Sequence, residues 1–278
     1  MKPGASSLSL ISDGTVKADG GTVFGQIPKA AWEQMAAPDR RNRISLGLNC
    51  LVIKSGDSCV LVDTGLGNKD PDQTKERYGL SRSNLLKNLR AIGLTARDIT
   101  AVVLTHLHME HSGGSTRLDR SGEAVPTFPS AKYYIQRKAW EDATGPNERA
   151  CDLFRSEDFL PLKERNQICL LDGDAEVAPG VRVRLTGGHC KGHQMVLVSH
   201  GGERVAVLGD LVPTYHHLKM ACISSTDTFP EDTLGIKKEL IAEAEKCGWL
   251  MVFCHGVETR AGYLEKRNGD ITFRPVEF

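Results

Sequence analysis

Several features that would place a chain quickly are missing here. No CxxC pair occurs: the eight cysteines, at positions 50, 59, 151, 169, 190, 222, 247 and 254, are scattered, and several sit in apolar strand-like runs where a thiol behaves as a small hydrophobe. A disulfide scaffold is not expected in a chain of 278 residues with that pattern. Neither sign of charge is in excess. Lys plus Arg and Asp plus Glu each total 35, so no basic field exists to hold nucleic acid or an anionic membrane. Aromatic residues make up only 6%, which argues against a stacking platform for single-stranded nucleic acid. No apolar run approaches the roughly 20 residues of a membrane span. The segment from Met1 to Ser7 leads into mixed residues without the apolar stretch of a signal peptide. The expectation is a cytoplasmic protein with neither a membrane nor a nucleic acid as partner.

What is present is an ordinary globular composition, 40% hydrophobic and 25% charged, without repeats, low-complexity tracts or Pro/Gly/Ser linkers. One domain over 1–278 is expected, with 1–43 as an N-terminal extension packing near the functional site. Ile44 to Ser55 and Ser58 to Thr64 read as a hairpin turning at Ser55-Gly56-Asp57 and ending in Asp63-Thr64-Gly65. Leu85, Leu86, Leu89 and Ile92 have helical spacing within 81–92, and a strand follows from Ile99 to Thr105. Further strands are expected at 132–135, 168–171, 181–185, 195–199, 205–208 and 249–254, with a helix over 231–246. Runs of strands separated by helices suggest α+β layers.

Nine histidines occur, none before residue 106, and three stand together in Thr105-His106-Leu107-His108-Met109-Glu110-His111. In an extended turn at a strand end, residues two apart can converge on one ion, while the adjacent Glu110-His111 pair faces a second position. Imidazole and carboxylate suit zinc, and also iron or manganese. Further ligand types stand at other strand ends: His189 in Thr186-Gly187-Gly188-His189-Cys190-Lys191-Gly192-His193, Asp210 after Leu208-Gly209, and His255 between Cys254 and Gly256.

In type and in order these residues resemble the metallo-β-lactamase superfamily of dinuclear metal hydrolases. Its HxHxDH motif corresponds to His106, His108, Glu110 and His111, its GHTxGH segment to Gly188 through His193, its bridging aspartate to Asp210 and its last histidine to His255. The resemblance implies the four-layer αβ/βα sandwich. It also implies two zinc ions per chain, one held by His106, His108 and His189 and the other by Glu110, His111 and His255, with Asp210 bridging and iron or manganese as alternatives. Asp63 is expected to orient a metal-binding histidine, and His193 to support the site without binding metal. The segments Asp19 to Gly25, Pro28-Lys29 and Gly209 to Thr214 look like the branch of quorum-quenching lactonases and methyl-parathion-hydrolase-like enzymes.

Glu110 departs from the family's aspartate, and its extra methylene moves the carboxylate by roughly a bond length against ligand tolerances of about 0.2 Å. Three outcomes are open: a shifted loop that keeps Glu110 as a ligand, a weak second site, or Glu110 as a general base. The retained ligand is favoured, with the second site the weaker. Tyr215, His216 and His217 follow Asp210 closely enough to reach the cleft, where Tyr215 or His217 could donate a hydrogen bond to an oxyanion or leaving group. Cys190 is taken as a bystander thiol, His200 as a hairpin turn residue, and Trp32, Trp140 and Trp249 as core, with Phe24 and Trp32 able to line the pocket. The expected reaction is hydrolysis of a small-molecule ester, foremost a lactone, by a metal-bound hydroxide, with Asp210 orienting the nucleophile. Phosphotriester or phosphodiester cleavage, thioester cleavage and iron-dependent sulfur dioxygenation are the alternatives. The resemblance also allows a homodimer.

Overall fold

The long apolar run from Leu48 to Ile53 is buried on both sides, and its alternation divides the molecule into layers. Cys50 and Val52 pack among helix residues such as Leu85, Leu89 and Leu162, whereas Leu51 and Ile53 pack against strand residues such as Val183, Val196 and Val207. A strand covered on both faces needs no polar alternate positions, which is why this stretch reads as nearly continuous hydrophobe.

The computed structural model describes residues 7–80, 82–267 and 270–277. Strands β1 (Ser7–Asp19), β2 (Arg43–Ser55), β3 (Ser58–Val62) and β4 (Ala101–Val103) are followed by a short ribbon of β5 (Thr116–Leu118) and β6 (Ala124–Pro126), then by β7 (Lys132–Gln136) and β8 (Ile168–Leu171). The remaining strands are β9 (Ala175–Ala178), β10 (Val181–Leu185), β11 (Gln194–His200), β12 (Glu203–Val207), β13 (Leu250–Val252), β14 (Ala261–Arg267) and β15 (Asp270–Val276). One sheet runs β1-β2-β3-β4-β7-β8 and the other β15-β14-β13-β12-β11-β10-β9. Their inner faces share a core of Val, Leu and Ala side chains. Helices Leu85–Ala91, Arg137–Thr144 and Leu160–Glu164 cover the first sheet, and helix Pro230–Cys247 covers the second. This is the four-layer αβ/βα sandwich.

The hairpin of β2 and β3 turns at the expected residues, with Lys54 paired to Cys59 and Ser55 to Ser58. Helix Pro230–Cys247 starts on Pro230 with Glu231 and Asp232 in its first turn and stops at Gly248 in the left-handed conformation, as its sequence suggests. The expected helix over 81–92 runs only from Leu85 to Ala91, and Ser81 lies outside the described residues. Residues 7–19 correct the expectation of an extension: they form the edge strand β1, paired along most of β2. Residues 20–36 pack against the segments after β3 and β4, because Phe24, Trp32, Leu66 and Met109 share one apolar cluster. Residues Pro71–Tyr78 form a further short helix. Among the described residues, no helix is long and apolar enough to cross a membrane.

Strands β3 and β4 are parallel, as are β12 and β13, so four chain segments leave the two sheets at one common edge. Asp63 follows β3, His106 to His111 follow β4, Asp210 follows β12 and His255 follows β13. The β10–β11 connection brings His189 and His193 to the same edge.

Candidate metal centre

After β4 the chain does not stay extended. Residues Met109–Ser112 form one helical turn preceded by His108, whose carbonyl accepts from the backbone N–H groups of His111 and Ser112, both at 3.0 Å. Adjacent residues on such a turn diverge by about 100°. His108 and His111 both send a ring nitrogen into a buried cluster of ligand atoms, and Glu110 joins neither cluster. Its side chain is half-exposed, and its charge is felt at the phenol of Tyr78. This departs from the expectation of Glu110 as a metal ligand: among the described residues it joins no group of converging ligand atoms.

Two such groups form. One is His106, His108 and His189; the other is His111, Asp210, Cys254 and His255; within each, the candidate ligand atoms lie within 4.8 Å of one another. Asp210 stands between them. Its Oδ1 is 3.2 Å from His111 Nε2, His255 Nε2 and Cys254 Sγ alike, and its Oδ2 is 3.5 Å from His189 Nε2. All of these side chains are buried.

Outer partners orient the imidazoles, as is usual around metals. His111 Nδ1 donates to Asp63 Oδ2 at 2.8 Å, His189 Nδ1 to Asp227 Oδ1 at 2.8 Å, and His255 Nδ1 to the Gly47 carbonyl at 2.8 Å. Each bond leaves Nε2 aimed at the centre. Asp63 also accepts from the Thr105 backbone N–H and hydroxyl, so one carboxylate ties the start of the histidine loop to its end. His193 Nε2 accepts from the Asp210 backbone N–H at 3.0 Å while its Nδ1 meets the Thr186 hydroxyl at 2.6 Å, so this histidine positions Asp210. That contact needs Gly209 in the left-handed region, where a Cβ would lie 2.4 Å from His193 Nε2.

Burial and the surrounding imidazoles push His106 and His108 well below the ordinary histidine value, into the neutral form a ligand needs. Burial also opposes the charge of Asp210, yet His111 and His255 hold its carboxyl well below the usual carboxylate range. His106 Nε2 is buried without a polar partner, and His111 Nε2 makes no hydrogen bond although Asp210 is close. Unsatisfied buried nitrogens beside an ionised carboxylate fit a cation, and a set of nitrogen, oxygen and sulfur donors suits zinc or a similar borderline ion.

A cleft of about 330 Å³ leads to His255, lined by Phe24, Met35, Ile44, Leu46, Tyr215 and His216 among others. Tyr215 stands at its rim, 38% exposed. His217 does not reach it as an acid or base. Its Nε2 donates to the Val23 carbonyl at 3.0 Å, its Nδ1 lies 2.8 Å from the Thr214 hydroxyl, and its ring stacks on Phe24, so it braces the cleft wall. Cys190 is buried, and burial pushes its thiol up, as an inert side chain requires. Trp32 and Trp249 are core residues, and Trp140 is partly buried against the first sheet's helices. Two site residues escaped the sequence reading. Asp227 has no spacing relation to His189, and Cys254, at the end of an apolar run, reads as a small hydrophobe although it adjoins His255.

A model of the Metallo-beta-lactamase superfamily matches residues 46–255. The N-acyl homoserine lactonase of Bacillus cereus is 26% identical over 174 residues, covering 56% of this chain and 60% of its own length, so the chain spans less than two thirds of that relative. The N-acyl homoserine lactonase AiiB of Agrobacterium fabrum is 26% identical over 262 residues, 81% of this chain and 85% of its own. A solved structure, a probable metal-dependent hydrolase from Staphylococcus aureus, superposes with a TM-score of 0.90 at 26% identity over 100% of this chain and 99% of its own.

Proposed function

This chain belongs to the metallo-β-lactamase superfamily, and we propose that within it the chain is a dinuclear zinc hydrolase that opens the ring of a small lactone. One observation carries the reading: Asp210 presents one carboxylate oxygen to each of two groups of buried imidazoles, the arrangement a pair of ions requires. The names of the Bacillus and Agrobacterium relatives support a lactone as substrate. An N-acyl homoserine lactone suits the cleft, whose Phe24, Met35, Ile44 and Leu46 offer apolar surface to an acyl chain and whose lining includes His255.

Zinc ions bound there supply Lewis acidity and bring the pKa of water toward 7. His106, His108 and His189 would hold the first ion, and His111, Asp210 and His255 would contribute to the second. Asp210, kept ionised by its neighbours, orients the attacking water. The water oxygen bonds to the lactone carbonyl carbon as one of its protons leaves, the ring C–O bond breaks, and the alkoxide released takes up one proton in turn, so that one water is added to give the hydroxy acid. Tyr215, which lines the cleft and is partly exposed, is the candidate to donate a hydrogen bond to a substrate oxygen.

The test is turnover by protein purified without chelator, on acyl homoserine lactones of graded chain length beside phosphotriester, phosphodiester and thioester panels. The expected result is highest kcat/KM on a lactone and loss of activity with Asp210→Ala. A phosphotriester or thioester turned over faster than every lactone refutes the substrate assignment. Oxygen uptake with a persulfide, together with one iron per chain, refutes the hydrolase.

A further inference from the structure

The superfamily pattern puts an aspartate where this chain has Glu110, and Glu110 joins no group of converging ligand atoms, so among the described residues the second metal position lacks the carboxylate that its motif implies. A different donor occupies that neighbourhood. Cys254 is 2% exposed, and its Sγ lies 3.2 Å from Asp210 Oδ1, the atom that His111 Nε2 and His255 Nε2 approach at the same distance. The four ligand atoms converge within 4.8 Å, and His111 Nε2, aimed into the group, has no hydrogen bond of its own.

The turn that carries the thiol is built to stay in place. The buried Asn49 side chain donates to the carbonyls of Phe253 and Gly256 at 3.0 and 2.7 Å, and the Asn49 backbone N–H donates to the Cys254 carbonyl at 2.9 Å. The His255 backbone N–H donates to Pro213 at 2.9 Å, which ties the turn to the segment after Asp210. Cys254 and His255 thus arrive together from the end of β13.

Resting on the two-metal reading above, we infer that Cys254, in place of Glu110, is the anionic protein ligand that joins His111, Asp210 and His255 at the second metal position. A thiolate brings the same single negative charge as the carboxylate it replaces, so the charge balance of the site is kept while the ligand becomes softer. That change favours zinc or cobalt over manganese, which prefers oxygen. On binding, the ion takes the sulfur lone pair and the thiol proton leaves to solvent, so loading this position releases a proton.

Cobalt reads the ligand directly. Metal-free protein is titrated anaerobically with Co²⁺ under reducing conditions, and the near-ultraviolet sulfur-to-cobalt charge-transfer band is followed in wild type, Cys254→Ser and Glu110→Ala. Zinc content is measured on the same three proteins. The expected result is a band in wild type and Glu110→Ala but not in Cys254→Ser, with about two zinc ions per chain in the first two and about one in the third. The wild-type band needs no substitution and stands even if Cys254→Ser folds poorly. Absence of the band from wild type, its survival in Cys254→Ser, or loss of one zinc from Glu110→Ala with both kept in Cys254→Ser overturns the assignment. A band without lactone turnover upholds the ligand and refutes only the substrate reading. A wild type that holds one ion or none refutes the two-metal reading itself.

Discussion

Asp227 is the most demanding test of the site, because its role rests on two hydrogen bonds and on no motif. One oxygen accepts from His189 Nδ1 at 2.8 Å and the other from the Thr233 hydroxyl at 2.7 Å, and all three side chains are buried. Asp227→Ala leaves both donors without a partner and frees the His189 ring to turn or to protonate on Nε2, where it would no longer bind metal. Removing an orienting carboxylate of this kind weakens metal affinity by about 10–100-fold, or roughly 1.4–2.7 kcal/mol. Asp227→Asn can still accept from His189 through its oxygen while its NH₂ donates to Thr233, so its loss is expected near the lower limit and that of Asp227→Ala near the upper. The assay is competition for zinc with a chromophoric chelator, which gives Kd directly, with thermal melting to verify the fold. Wild-type zinc affinity in Asp227→Ala, with His189→Ala strongly impaired, would refute the argument that Asp227 holds the His189 ring.

Three further expectations follow from the same geometry. Tyr215→Phe should lower kcat on a lactone by about tenfold with little change in KM, below the loss for a buried oxyanion donor because the phenol is partly in solvent; steady-state kinetics decide, and an unchanged kcat makes Tyr215 a wall residue. Burial holds His217 neutral with its value lowered to about 4, so the unfolded chain binds a proton that the folded one refuses as pH falls below the ordinary histidine range. Stability should therefore fall between about pH 6.5 and 4, by at most about 3 kcal/mol, and level off below; urea melts across that range in wild type and His217→Gln, with NMR titration of the ring, measure it, and a ring that titrates near 6.5 in the folded protein contradicts the packing described. Gly209→Ala should cost about 1–3 kcal/mol in urea unfolding and weaken zinc binding, since its Cβ would strike His193; an unaltered melt and zinc affinity would show that the His193–Asp210 contact is dispensable.

How much of this was legible in the chain depends on how local each feature is. The β2–β3 hairpin and the helix Pro230–Cys247 were readable because turn residues, caps and periodicity act over a few positions. His106, His108 and His111 announce themselves by clustering, and His189, Asp210 and His255 follow as ligand types at strand ends in an order shared with a known family. The edge strand β1 was not readable as such: Ser7–Asp19 mixes polar and apolar residues, and its identity comes from pairing with β2. Strands β14 and β15 likewise depend on one another and on β13.

By itself, then, the sequence determined the layer type, the strands that feed the site and the set of imidazoles and carboxylate available to hold metal, because these follow from local pattern and residue chemistry. The tertiary structure alone decided which way each donor faces. The turn over Met109–Ser112 brings His111, and not Glu110, into the cluster of ligand atoms; the close of β13, pinned by Asn49, brings Cys254 to Asp210; and the loop before Pro230 carries Asp227 to His189 across 38 positions of chain. Direction and long-range contact are products of packing, and no spacing rule along a chain encodes them.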